Sequence, residues 1–164
     1  MKKTTLCYIE KDDKYLMLYR NKKADDPNEG KWIGVGGKLE QGETPEICVR
    51  REVLEETALA PKEFIFRGIV HFISDEWEDE DMYLYTAQGV DVSTDEDIPC
   101  DEGTLKWISK SDVLSLNLWE GDRYFLELIA KESPCFEMRL EYQGEKLVSS
   151  QIIMDKGIEK GNYE

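Results

Sequence analysis

Histidine is nearly absent from this chain, with His71 standing alone, and no two of its four cysteines are at CxxC spacing. No cysteine-based metal or disulfide framework can be read. Cys7 and Cys48, in apolar settings, are expected as buried free thiols. Basic residues are scarce: 21 Lys and Arg face 36 Asp and Glu, for a net charge of −15. Without a basic surface to neutralise phosphates, DNA, RNA and anionic membranes are excluded as partners. A small polyphosphate is also repelled unless divalent cations arrive with it. Long apolar runs are missing too, so nothing approaches transmembrane length. Met1-Lys2-Lys3 leads into a short strand-like run rather than the apolar stretch of a signal peptide. These absences point to a reduced, cytoplasmic protein. No repeat or linker interrupts the chain, and its length and 40% hydrophobic content suit one domain over residues 1–164.

What the chain has in quantity is acid, and one stretch concentrates it. Residues 36–59 read GGKLEQGETPEICVRREVLEETAL. Thr44 is a favourable N-cap and Pro45 suits the first helical position, where no N–H is needed. Residues 46–57 contain no Gly or Pro, which predicts a helix of about three turns. Glu52, Glu55 and Glu56 then fall on one face at i, i+3, i+4 spacing, where like charges repel. Ile47, Leu54 and Ala58 fall opposite and are expected to enter the core. Such a ridge is either a solvated acidic face or a site for a hard cation. With only oxygen donors, that cation is Mg²⁺, or Mn²⁺ in its place, rather than zinc.

Around this stretch, residues 4–10 and 14–20 read as a strand hairpin and residues 32–35 as a short strand. Residues 22–31 are a polar loop. Residues 63–73 and 81–90 form a second strand pair, bent at Gly68 and joined by an exposed acid-rich loop around Trp77. Residues 105–109 are a strand, and residues 111–117 a short helical turn. Residues 122–131 have amphipathic spacing, with Phe125, Leu128 and Ile129 as the apolar stripe. Residues 135–142 and 146–154 form a closing hairpin, and the tail from residue 156 is expected to fray. The interleaving predicts an α/β domain with a mixed sheet between helices. His71 is expected as a strand-borne core or pocket residue, with a catalytic base as the alternative.

Gly37, Glu43, Arg51, Glu52, Val53, Glu55, Glu56 and Leu59 stand at the spacings of the Nudix box, which this stretch resembles. Ala58 alone departs, replacing the last glycine of that pattern. The resemblance implies an α/β/α sandwich and a divalent-metal-dependent hydrolase of nucleoside diphosphate-linked compounds. By position it makes Glu52, Glu55 and Glu56 metal ligands, with a carbonyl of Gly36 or Gly37. Glu43 supports the site and Arg51 braces it by an ion pair. A further acid from a later loop is expected at Asp101-Glu102, with Glu102 preferred as ligand or general base. Within the family the chain looks most like the MutT-type enzymes that act on oxidised purine triphosphates such as 8-oxo-dGTP. Residues 31–43 (KWIGVGGKLEQGE) and 118–125 (LWEGDRYF) carry that likeness. By position Trp119 stacks on a base, Asp122 bonds it, Phe72 lines its pocket, and Thr5 and Arg20 sit at the rim. Ile33 stands where that branch has an Asn, and Gly121 replaces one of its paired acids. The implied partner is a small nucleotide. ADP-ribose or a nucleotide sugar is the alternative substrate, and a non-catalytic nucleotide sensor the alternative class.

Overall fold

A computed structural model describes residues 1–22 and 25–153. The first hairpin pairs β1 (Lys2–Lys11) with β2 (Lys14–Tyr19). There follow β3 (Trp32–Ile33), α1 (Pro45–Thr57), β4 (Glu63–Ser74), β5 (Glu80–Gln88) and β6 (Thr104–Ser109). The predicted helical turn is a single 3₁₀ turn, Val113–Ser115. After it come α2 (Asp122–Ala130), β7 (Phe136–Gln143) and β8 (Lys146–Ile153). Met154 and the tail predicted to fray lie outside the described residues. Among the described residues no helix is long and apolar enough to cross a membrane.

The strands form one mixed sheet in the order β3-β2-β1-β5-β4-β7-β8, with β6 on the other edge of β2. The β1–β5 and β4–β7 pairs are parallel, and the rest are antiparallel. Side chains alternate along a strand, so the two faces build two cores. Leu6 and Tyr8 of β1 and Tyr15 and Met17 of β2 join Phe125, Leu126 and Ile129 of α2. Cys7, Ile9, Leu16 and Leu18 join Val49 and Val53 of α1. This is the expected α/β/α sandwich, with a helix on each face of the sheet.

The packing of α1 reverses one expectation. Ile47 and Leu54 are 54% and 55% exposed, and Ala58 is exposed as well. The buried stripe is Cys48, Val49, Val53 and Thr57. At 100° per residue, Glu52 and Glu56 lie within that stripe, and Glu55 lies at its rim. The helix thus turns its acids inward and two of its apolar residues outward, the opposite of a helix sorted by solvation alone. The caps are as predicted at the start, where the Thr44 side chain accepts the Ile47 N–H at 3.2 Å.

β1 and β2 share a register only from Ile9 to Lys11. Beyond it the segment before α1 takes the freed edge of β1. Val35 N–H donates to Cys7 O at 2.9 Å, Thr5 N–H to Gly37 O at 2.9 Å, and Leu39 N–H to Lys3 O at 3.0 Å. A Cβ on Gly36 would stand 2.0 Å from Thr5 O, so only glycine lets the backbones approach this closely. This seam delivers the glycines to the start of α1.

Candidate active site

The acids of α1 meet an arginine from their own helix. Arg51 Nε and Nη2 donate to the two carboxylate oxygens of Glu43 at 2.7 and 2.9 Å. Nη1 donates to Glu52 at 2.9 Å and to Glu55 at 3.2 Å. Such a fork–fork pair fixes direction as well as charge. Its hydrogen bonds, with the Glu40 N–H behind them, lower the Glu43 pKa to about 2. Burial raises the Glu52 carboxyl above its ordinary range despite Arg51.

Glu56 is set deeper. Burial comes first in raising its pKa, followed by a hydrogen bond and charge repulsion from Glu102, which places Glu56 well above the ordinary carboxylate range. The loop before β6 thus brings Glu102, the acid preferred from sequence, to Glu56. Asp101 is exposed. Arg20 Nη1 lies 3.6 Å from Glu102 on the other side. Gly37 packs against Glu52, whose carboxyl carbon is 2.5 Å from where a Cβ would be. The Gly37 carbonyl accepts the Thr5 N–H and faces the Thr5 hydroxyl at 3.4 Å and the Cys48 thiol at 3.6 Å.

Can these groups hold a divalent cation? Glu56 Oε2 is buried without a hydrogen-bond partner, and its carboxylate is pressed against a second one. Two carboxylates so close need a shared proton or a cation between them. The donors are all oxygen, as Mg²⁺ prefers. The residues therefore fit such an ion. Among the described residues no three acids already stand together at coordination spacing. Glu52 and Glu55 are engaged by Arg51, so binding one ion with Glu56 requires them to turn.

A cleft of about 410 Å³ opens beside this cluster. Gly36, Gly37 and Arg20 lie at its acid end. All six residues marked from sequence as substrate contacts line it: Thr5, Arg20, Ile33, Phe72, Trp119 and Asp122. Trp119 meets Tyr142 edge to face at 5.3 Å between centroids, and Lys31 Nζ stands 5.1 Å over its ring. Asp122 is buried at the start of α2, and its pKa rises to about 8, first through desolvation and then through Glu80.

Sequence reading overlooked several parts of the wall. Asp26, Asn28, Trp77 and Tyr142 all line the cleft. The acid-rich loop was expected merely to be exposed, yet it contributes Trp77 and Glu78. An unassigned aromatic within a polar loop was the one available signal. His71 is neither core nor pocket. Its Nδ1 pairs with Asp81 at 2.6 Å and its Nε2 with Glu137, on the face of β4 opposite Phe72. Alternation along β4 puts His71 on the face away from Phe72, where the two carboxylates stand.

The family model for the Nudix domain matches residues 2–129. An uncharacterised Nudix hydrolase of Bacillus subtilis, YvcI, is 32% identical over 142 residues, covering 80% of each chain. The oxidized purine nucleoside triphosphate hydrolase of Mus musculus is 29% identical over 104 residues, 63% of this chain and 65% of the mouse protein. Among solved structures, a MutT protein from Bacillus halodurans superposes with a TM-score of 0.79 at 25% identity, covering 94% of this chain and 99% of that one. The chain belongs to the Nudix family and is an enzyme of the hydrolase type that defines it.

Proposed function

We propose that this Nudix enzyme is a Mg²⁺-dependent nucleoside triphosphate pyrophosphohydrolase. It cleaves a purine nucleotide, oxidised or otherwise modified, to the monophosphate and pyrophosphate. The reading is supported above all by one juxtaposition: an aromatic cleft with the buried Asp122 at its base end abuts, through Gly37 and Arg20, an inward-facing carboxylate cluster. The cleft suits a base and the cluster suits metal-bound phosphates. The mouse relative acts, by its name, on oxidised purine nucleoside triphosphates. The four free cysteines accord with a reducing, cytoplasmic setting.

In this reading Glu52, Glu55, Glu56 and Glu102 hold the cation. A backbone carbonyl joins them, and Gly36 is the better candidate because Gly37 O is turned to β1. Bound there, the cation shields the phosphate oxygens, polarises phosphorus and acidifies a water. Arg51 and Glu43 keep the ridge aligned, and Arg20 faces the phosphates. Trp119 and Phe72 sandwich the base. Asp122, protonated near neutral pH, donates a hydrogen bond to an acceptor on the base edge. Ile33 offers only an apolar contact where the related branch has an amide, so discrimination falls on Asp122.

A substrate panel tests this. Purified enzyme with Mg²⁺ is given ordinary and oxidised purine and pyrimidine triphosphates, together with ADP-ribose and a nucleotide sugar. Pyrophosphate release from purine triphosphates supports the proposal. Turnover of linked diphosphates alone replaces it with the second substrate class, and tight binding without any turnover replaces it with a sensor.

A further inference from the structure

The polar loop between β2 and β3 reaches both ends of the cleft. The Asp26 side chain is only 6% exposed and uses both carboxylate oxygens. Oδ2 pairs with Arg20 Nε at 2.8 Å, an ion pair whose angle falls short of a hydrogen bond, and Oδ1 accepts the Asn28 N–H at 3.0 Å. Asn28 Oδ1 in turn accepts the Trp119 indole N–H at 2.9 Å. That donor also fixes which way the Asn28 amide points, since its NH₂ cannot face an N–H. Arg20 continues to Glu102 at 3.6 Å. One turn of chain, Asp26-Pro27-Asn28, therefore ties the guanidinium at the acid end to the indole at the far end.

From this geometry we propose that Asp26 and Asn28 are positioning residues that set the distance between the phosphate-side and base-side contacts of a bound nucleotide. The inference rests on the nucleotide reading of the same cleft. Arg20 and Trp119 are long side chains on separate connecting segments, one after β2 and one before α2. Left untied, each would lose rotamer freedom when ligand arrives, and affinity would fall accordingly. Tied through a buried carboxylate, they are pre-set in register, which is how positioning residues assist a reaction they do not touch. Asp26→Asn keeps the shape but removes the charge beside Arg20 and turns one acceptor into a donor, so Arg20 is released and the Asn28 N–H is held less firmly. Asn28→Ala frees the indole alone.

The experiment uses the full chain labelled with 5-fluorotryptophan, with the Trp119 ¹⁹F resonance assigned by Trp119→Phe. That resonance is titrated with dGMP and its 8-oxo form, and triphosphate turnover is measured alongside. In the ligand-free protein, Asn28→Ala and Asp26→Asn both shift the Trp119 signal. Each weakens monophosphate binding roughly three- to tenfold, the effect of losing one hydrogen bond. In turnover, Asn28→Ala acts on KM, while Asp26→Asn also lowers kcat by releasing Arg20. Asn28→Asp, which keeps an acceptor for the indole N–H, restores signal and affinity. Unchanged affinity in the variants, or no rescue by Asn28→Asp, overturns the proposal while leaving the function intact. Nucleotide binding at Trp119 with the expected variant pattern but no turnover by wild type sinks the pyrophosphohydrolase reading and leaves the positioning role standing. No response of Trp119 to any nucleotide sinks both.

Discussion

The Tyr142 hydroxyl accepts the Gly121 N–H at 2.8 Å and stands 2.8 Å from where a Cβ on Gly121 would be. Leu140 Cδ1 closes the same space at 2.6 Å. Gly121 is therefore hemmed in, because a tyrosine from β7 occupies the room a side chain would need and takes its N–H. Placing an acid there with Gly121→Asp should destabilise the fold by about 1–3 kcal/mol, the range for overpacking. Tyr142→Phe should cost about 1–3 kcal/mol by stranding a buried donor. Urea denaturation of both variants measures this, and a Gly121→Asp protein as stable as wild type would mean that the wall yields.

Glu56→Gln separates charge from shape. It removes the repulsion against Glu102 and the burial of an ionisable group, so stability should hold or rise slightly. Pyrophosphate release should nonetheless drop at least about a hundredfold, since altering even the supports of a metal ligand costs ten- to a hundredfold. Glu55→Gln should lose activity with little change in stability, because its side chain is 60% exposed. Mn²⁺ binding followed by electron paramagnetic resonance, beside thermal melts, checks both. Full activity in the Glu56→Gln variant would remove that residue from the site.

Asp122 should make stability depend on pH. Its folded pKa, about 8, lies above the ordinary aspartate value of 3.8, with Arg123 and Lys31 opposing the shift only in part. Between those values the folded state binds more protons than the unfolded chain, so unfolding free energy falls as pH rises. The contribution is complete below about pH 4 and lost as pH passes about 8, with a slope of at most about 1.4 kcal/mol per unit. Asp122→Asn should remove this component and also change the nucleotide preference. The difference between wild type and variant, measured by urea melts from pH 5 to 9, isolates it from the other titrating groups. A pH-independent difference would mean that the carboxyl ionises normally.

Elements and motif spacing were legible because they depend on local chemistry. Thr44-Pro45 starts α1, glycines mark the close seam against β1, and alternation marks the strands. The side of α1 that enters the core was not legible. Ile47 and Leu54 look as fit for the core as Val49 and Val53, and the acids turn inward because they share the arc of Cys48, Val49, Val53 and Thr57 that packs on the sheet. Glu102 could be singled out as a loop acid, but its meeting with Glu56 belongs to the fold. The Asn28–Trp119 bond spans 91 residues, and Gly121–Tyr142 joins a helix start to a distant strand. Such pairs have no periodicity to betray them. His71 misled because a lone histidine on a strand looks the same whether it faces a pocket or two carboxylates across the sheet.

The end of α1 supplies the last prediction. Ala58 caps the helix in the left-handed region, with φ of 60° and ψ of 14°, and its N–H bonds Leu54 O at 2.9 Å. The sequence makes Ala look a mild substitute for the glycine usual at that position of the box. The backbone makes it a strained one, because a Cβ in this conformation crowds the following carbonyl by about 1–2 kcal/mol. Glycine relieves that crowding but loosens the unfolded chain, which offsets part of the gain. Ala58→Gly should therefore raise stability by roughly 0.5–1 kcal/mol and leave the acid ridge unmoved, since the side chain is exposed. The denaturation midpoint should rise at unchanged slope, with kcat and KM as in wild type. A lower midpoint would show that Ala58 is held by contacts the backbone geometry does not reveal.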